Sequence, residues 1–559
     1  MTTVSEALRT AVDLHQRNRL QEAADLYVRI LQADPSAADA WHLLGVLHHQ
    51  VGQHRKAEEF IGAAIARDPA CAAYHDNLGS ARRGAGNPGG AADCHRRAMA
   101  LSPDWVKPLG NLGNALLDAQ HPEAAATAYR RALRLEPVQD SLRLRLADCL
   151  HGMGRSGEAE PLYAALLEAQ PERPDLRHRL GLATLGTSGL LTAKLAEAAR
   201  TVDRDRLKTA LSLFGGAARA GLAEARRNLF GTAILALQNG VLDDQTLHGV
   251  AVAARERLRV DRRDAAALAV VCYNLYRRDR LEVAHRFFRK HARHFAPEEI
   301  GGAFELLVWS IVDASRAFLT RLEGYEPRLF QRAVHRDVVP AAGDGRPVLL
   351  IGCDDGYWRR FGVPFLDSWR EKASSCALHV HLVNPSDETV DALRRLADEV
   401  GGGLSCSAEA IDLDAMPEPV RVTYFACARF AVARRLLRQG TAPVVQVDVD
   451  AVMLEDVGAA MRQWPPGWDI AVMRDRRGRG PMRDFLAGFM AFNATPAGRA
   501  FLERVAAYIG WHFDAGRVYW MLDQAAPYCV YDGMRRAGEP PSVVWHDFAD
   551  FPYLRFADK

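Results

Sequence analysis

The sequence predicts a multidomain chain: an N-terminal all-α solenoid of repeated helix pairs, a helical middle region, and a C-terminal α/β domain with a Rossmann-like sheet. Three observations predict this. The chain has 559 residues, more than one hydrophobic core usually organises. Prolines recur at Pro35, Pro69, Pro103, Pro137 and Pro171, a constant spacing of 34 residues, which is the period of a helix-turn-helix repeat. Beyond Val348, short apolar runs alternate with segments of helical period, the pattern of strands joined by helices.

The solenoid is expected over residues 1–186. Gly45, Gly79, Gly113 and Gly181 keep the 34-residue interval, with Ala147 in the fourth unit, and Ala23, Ala57, Ala91, Ala125 and Ala159 recur likewise. Small residues at fixed positions mark where two helices approach, while Leu44, Leu78, Leu112, Leu146 and Leu180 supply the bulk beside them. The pattern resembles the tetratricopeptide (TPR) repeat, five units and the start of a sixth. The resemblance implies a concave surface that holds a partner. Asn77 and Asn111 occupy equivalent positions on the first helix of their units, with Asn114 nearby. They resemble the asparagine ladder with which O-linked N-acetylglucosamine transferases grip an acceptor backbone, because an amide both donates and accepts hydrogen bonds. The resemblance therefore implies a protein or glycan acceptor contacting Asn77, Asn111 and Asn114.

Composition excludes other classes. Lys plus Arg number 71 against 69 Asp plus Glu, a formal net charge of +2, so the electrostatic footprint of a nucleic-acid binder is missing. The nine cysteines are scattered without a CxxC pair, as in a protein of the reducing cytoplasm. MTTVSEALRT has no basic stretch leading into an apolar one, and no run reaches the length of a membrane span. A cytoplasmic protein with no membrane span is expected.

Residues 187–340 keep a helical period. Ala267 to Pro297 repeats the layout of the solenoid units, with a polar turn at Arg277 to Arg280 between two helices. His285, His291 and His294 lack the ligand spacing of a metal site and are expected on the surface.

The α/β domain is expected over 341–559, after the linker AAGDGRP. VLLIGC (Val348–Cys353), LHVHLV (Leu378–Val383), VVQVDV (Val444–Val449) and IAVM (Ile470–Met473) read as strands. In the third, Asp448 and Asp450 are two apart on an extended chain and project to one face, while Val447 and Val449 pack on the other. Paired carboxylates at a strand end suit Mg²⁺ or Mn²⁺ bound together with a diphosphate.

In this setting the domain resembles GT-A nucleotide-sugar glycosyltransferases, particularly the glycogenin and galactosyltransferase-like branch. CDDGYW (Cys353–Trp358) resembles the loop that holds base and ribose, which implies contacts from Asp354, Asp355 and Tyr357. Arg429 precedes the DxD strand, as does the family's nucleotide-steadying basic residue. FLAGFMAFN resembles the sugar-pocket segment, with Gly488 permitting close approach, and WMLDQAAPY matches the late DQ motif, Asp523 and Gln524. The resemblance implies a nucleotide-sugar donor held by Asp354, Asp355, Tyr357, Arg429, Asp448 and Gly488, and a metal on Asp448 and Asp450 with His546 as third ligand. It implies catalytic roles for Asp523 and Gln524, Asp523 either binding sugar hydroxyls or taking the acceptor's proton. RDRRGRGPMRD, with Arg474, Arg476, Arg477, Arg479 and Arg483, is a candidate basic lid over the diphosphate.

Two rivals are weighed. A sugar-nucleotide pyrophosphorylase needs a glycine-rich basic loop after the first strand, where this sequence has GCDDGYW. The other is a TPR interaction scaffold whose nucleotide-sugar-binding domain is catalytically inactive.

Overall fold

The computed structural model describes residues 3–192, 201–340, 344–414, 416–475 and 485–556. They form two compact units, one of residues 1–193 with 201–226, the other of 227–559. The helical middle is thus divided between them, and the boundary expected at 341 falls inside the second unit.

The first unit is a series of antiparallel helix pairs, from Val4–Gln16 with Leu20–Ala33 to Pro174–Thr187 with Arg204–Arg219. Each proline of the 34-residue series opens a two-residue turn just after a helix ends; lacking an N–H, it cannot continue the helix. Its carbonyl is then used. Six residues on, a side-chain donor returns to it in four units: Trp41 to Pro35, His75 to Pro69, Arg143 to Pro137 and Arg177 to Pro171. The recurrent alanines are fully buried. A Cβ on Gly45 would come 2.5 Å from Ile61, on Gly79 2.6 Å from His95, and on Gly113 2.4 Å from Tyr129, so these positions are contact points between helices, as the spacing predicts.

The second unit begins with helices. Ala265–Arg277 and Leu281–Ala292 form the expected helix-turn-helix, and Pro297 opens a further short helix. His285 is not on the surface: it is buried, with Nδ1 3.5 Å from Asp313. The next segments are pinned to the C-terminal helices Pro496–Asp514 and Leu522–Ala537. Tyr508 donates its hydroxyl proton to the Ile311 carbonyl and accepts the Asp313 N–H at 2.9 Å. Arg536 donates to the Ala314 carbonyl.

The remainder is built on a mixed sheet of β1 (Val334–Val339), β2 (Val348–Asp354), β3 (Ala377–Val383), β4 (Leu404–Ala410), β5 (Val444–Val447), β7 (Ile470–Arg474), β8 (Leu486–Phe492) and β9 (Val543–Asp547). Their order is β1-β4-β3-β2-β5-β8-β7-β9, and a separate pair joins β6 (Ala451–Met453) to β10 (Leu554–Phe556). β2 runs parallel to both β3 and β5, so the chain steps outward to β4 and returns on the other side of β2. That reversal opens a crevice beyond the carboxyl ends of β2 and β5. Helix Asp355–Lys372 packs Trp358, Phe365 and Trp369 against one face of the sheet. Helix Glu418–Gln439 lies on the other, where a Cβ on Gly352 would be 3.0 Å from Arg429 Cγ. Among the described residues no helix is long and apolar enough to cross a membrane, and eight of the nine free cysteines are buried.

Candidate functional site

The crevice is a cavity of about 470 Å³, lined among others by Asp354, Tyr357, Arg429, Asp448, Asp450, Gly488, Asp523 and Gln524. Residues spread over 171 positions of sequence, from Asp354 to Gln524, therefore meet in one place. Its size suits a small organic ligand.

The strand carrying the DxD pair is shorter than the sequence suggests. β5 stops at Val447, and Asp448 and Asp450 sit in a turn closed by the Ala451 N–H donating to the Asp448 carbonyl at 3.3 Å. The outcome expected from alternation survives, because Val447 and Val449 join the hydrophobic cluster while both carboxylates line the cavity. The Asp448 side chain is 36% exposed and paired with Arg429, itself only 4% exposed. Arg429 Nη2 also lies 3.8 Å from Asp523. The guanidinium is thus a buried hub between two carboxylates, over the space that Gly352 leaves.

Asp523 is at the start of helix Leu522–Ala537, in the first turn where the backbone dipole favours a negative charge. Burial nevertheless dominates and, joined by the Asp448 charge, pushes its carboxyl up to about 6 against the opposing pull of Arg429. The neighbouring Gln524 has a buried side-chain oxygen without a hydrogen-bond partner.

Other predicted residues take different parts. Asp354 lines the cavity and also caps helix Asp355–Lys372, accepting the Tyr357 N–H at 2.7 Å. Asp355 does not reach the cavity. It accepts hydrogen bonds from Ser386 and pairs with Arg359 at 3.0 Å; burial works to raise its carboxyl, but bonds from Thr389 and Ser386 hold it below the ordinary value. His546 also lies apart from the lining residues. Its ring is 5.3 Å from that of Trp464, 5.4 Å from Tyr553, 5.6 Å from Phe551 and 5.8 Å from Phe489, and burial pushes its imidazole down to about 4. Among the described residues no cluster of three or more His, Cys, Asp or Glu could hold a metal. Asp448 and Asp450 alone would hold a cation, a set that fits Mg²⁺ or Mn²⁺ only when phosphate oxygens and water complete the shell. Of the candidate basic lid, Arg474 stacks over Trp545 at 4.9 Å; Arg476, Arg477, Arg479 and Arg483 lie outside the described residues.

Sequence reasoning missed Trp520 and Met521, which also line the cavity. Trp520 is 56% exposed, an aromatic face beside the carboxylates. Met521 has φ +75°, a left-handed backbone that a side-chain-bearing residue adopts at a cost and that sets the entry of the Asp523 helix.

In the first unit the asparagines are engaged with neighbours. Asn77 Nδ2 lies 2.7 Å from His42 Nε2, Asn111 donates to Asp76 at 3.0 Å, and Asn114 accepts from the Tyr129 hydroxyl at 2.8 Å. Two of these links cross 35 positions and so stitch one repeat to the next. Asp76 is fully buried beneath them, with His95 at 2.9 Å and Lys107 at 3.2 Å. Burial alone would raise its carboxyl; hydrogen bonds from His95 and Asn111 and the charges of His95 and Lys107 bring it below the ordinary value.

Tetratricopeptide-repeat family models match residues 14–79 and 111–174, so this unit carries TPR repeats. No curated protein matches the chain. Similar solved structures include a crystal structure of MamA, 22% identical, covering 28% of this chain and 92% of that one with a TM-score of 0.27. YrrB, described as a TPR protein with an unusual peptide-binding site, is 18% identical over 35% of this chain and 93% of its own, at a TM-score of 0.30. A Thermobaculum terrenum O-GlcNAc transferase mutant is 28% identical over 24% of this chain and 27% of its own, at a TM-score of 0.22.

Proposed function

We propose that the second unit transfers a sugar from a nucleotide-sugar donor to an acceptor, protein or glycan, presented by the TPR unit. The reading rests on one observation, the convergence of Asp354, Arg429, Asp448, Asp450, Asp523 and Gln524 on a single crevice at the topological reversal of the sheet. Tyr357 and Trp520 offer aromatic faces to the base or sugar. Asp448 and Asp450 would hold a divalent cation, Mn²⁺ or Mg²⁺, which would supply positive charge to stabilise a leaving nucleoside diphosphate. Arg429 fixes the orientation of Asp448 and moderates the charge of Asp523. The bond from the sugar's anomeric carbon to the phosphate oxygen breaks with its electrons going to the diphosphate, and the acceptor oxygen forms the new bond. Asp523, with a carboxyl near neutrality, takes the acceptor's proton.

A second reading is favoured by the Arg429–Asp448 pair, which already occupies one of the two carboxylates. On it, the unit binds a nucleotide sugar without turning it over, and the chain is a TPR interaction scaffold. Incubation with nucleotide sugars, with Mn²⁺ and with chelator, separates the two. Cation-dependent release of nucleoside diphosphate supports transfer; binding without release supports the scaffold. Mass spectrometry of co-purifying nucleotide identifies the donor base.

A further inference from the structure

The second unit contains another cavity, of about 680 Å³, which shares no lining residue with the first. Its walls come from helices Leu281–Ala292, Phe304–Ile311 and Arg316–Arg321 and from the end of Pro496–Asp514. Four arginines line it, Arg289, Arg293, Arg321 and Arg517, and none has a carboxylate partner among the described residues. Arg321 lies over Phe318 at 5.7 Å and Arg517 over Trp511 at 5.9 Å. Stacking holds a guanidinium by its face and leaves its N–H edge for an anion.

The buried side of the cavity has the opposite demand. His512 is 2% exposed, and its Nδ1 is 3.0 Å from the Arg517 carbonyl oxygen. A carbonyl only accepts, so Nδ1 carries the proton and Nε2 is left as an acceptor; it is buried and has no hydrogen-bond partner. Asp313, the one carboxylate lining the cavity, accepts the Ser315 N–H at 3.0 Å and lies 3.5 Å from His285 through Oδ1, and as a carboxylate it can accept more than these. Anion-seeking groups at the exposed rim and the unmet His512 acceptor inside, with the Asp313 carboxylate beside it, call for a ligand with a phosphate at one end and hydroxyl donors at the other.

We infer that this cavity is a second ligand site, for a phosphorylated polyol: a sugar phosphate or a nucleotide whose phosphate meets the arginines and whose hydroxyls donate to His512 and Asp313. The site is independent of catalysis in the crevice, and its occupancy needs no divalent cation.

The test is calorimetric titration of the full chain in chelator with glucose 1-phosphate, AMP and inorganic pyrophosphate. Saturable one-to-one binding of glucose 1-phosphate or AMP is expected, and the tighter of the two identifies the source. The double variant Arg289→Ala/Arg517→Ala, altered only at exposed positions, should weaken it by about tenfold or more, equivalent to losing a charge-assisted contact. Asp450→Ala should leave it unchanged. Pyrophosphate, which has no alcohol hydroxyl to offer His512 while its phosphates meet the arginines, should bind at least about tenfold more weakly than the better organic phosphate. The inference is overturned by absence of saturable binding, by indifference to the arginine pair, by equal loss in Asp450→Ala, or by pyrophosphate binding as tightly as the organic phosphates.

Discussion

At the scale of single residues, the two buried carboxylates Asp523 and Asp76 respond oppositely to similar seclusion. Burial, joined by the Asp448 charge, holds Asp523 near 6 against the pull of Arg429, which is shared with Asp448. Ionising it therefore costs stability, a cost absent below its ordinary 3.8, growing as pH rises towards 6 and complete at pH 7. If Asp523 takes the acceptor's proton, kcat/KM should fall below about pH 6; a profile flat from about pH 5 to 8 would remove it from that role. Asp76 has donors on several sides and is lowered, so its stabilisation is present at neutral pH and lost as pH falls through its folded value. Asn111→Ala takes one of those donors away and should lower stability by about 1–3 kcal/mol in a denaturant titration. That cost should appear without any acceptor, since the amide already serves Asp76. The DxD and DQ positions were legible in the sequence because few other polar residues interrupt their apolar surroundings. Asp355 and His546 were not, since a motif lists residue types and not the direction each side chain takes.

Among the elements, the repeats were legible through their recurring proline, glycine, alanine and leucine positions, since a 34-residue period is imposed by packing each unit on the next. Gly113→Ala, on the first helix of its repeat, and Gly62→Ala, on the second helix of another, test that packing at two helical glycines. Alanine favours a helix over glycine by about 1 kcal/mol, and a Cβ at Gly62 meets nothing within 4 Å, so Gly62→Ala should raise the melting temperature slightly. Gly113→Ala would drive a methyl into Tyr129 and should destabilise by about 1–3 kcal/mol. Equal effects would mean that the glycines are not contact points. The strands were only partly legible. β2, β3 and β7 are apolar runs, but β4 reads LSCSAEA, its serines buried through bonds to His379 and His381 on β3. Its polarity concealed a strand that pairs within the sheet. β8, full of small and aromatic residues, reads as a pocket-lining segment with no strand assigned to it, although it pairs along its length with β5 and β7.

For the molecule as a whole, the composition shift near residue 341 falls between β1 and β2, inside the second compact unit. The second unit starts at 227, and Tyr508 alone satisfies two backbone groups of the preceding helical segment. A fragment of residues 341–559 should lose cooperative unfolding and become sensitive to limited proteolysis, whereas 227–559 should melt in one transition. A cooperative 341–559 fragment would contradict the unit boundary. The central claim, sugar transfer through a cation held on Asp448 and Asp450, is tested most directly by a crystal structure of the protein soaked with nucleotide sugar and Mn²⁺. The account predicts one ion bridging these two carboxylates and the donor's diphosphate, with the sugar facing Asp523 and Gln524. A diphosphate lying elsewhere, with no ion between it and the two aspartates, would contradict it.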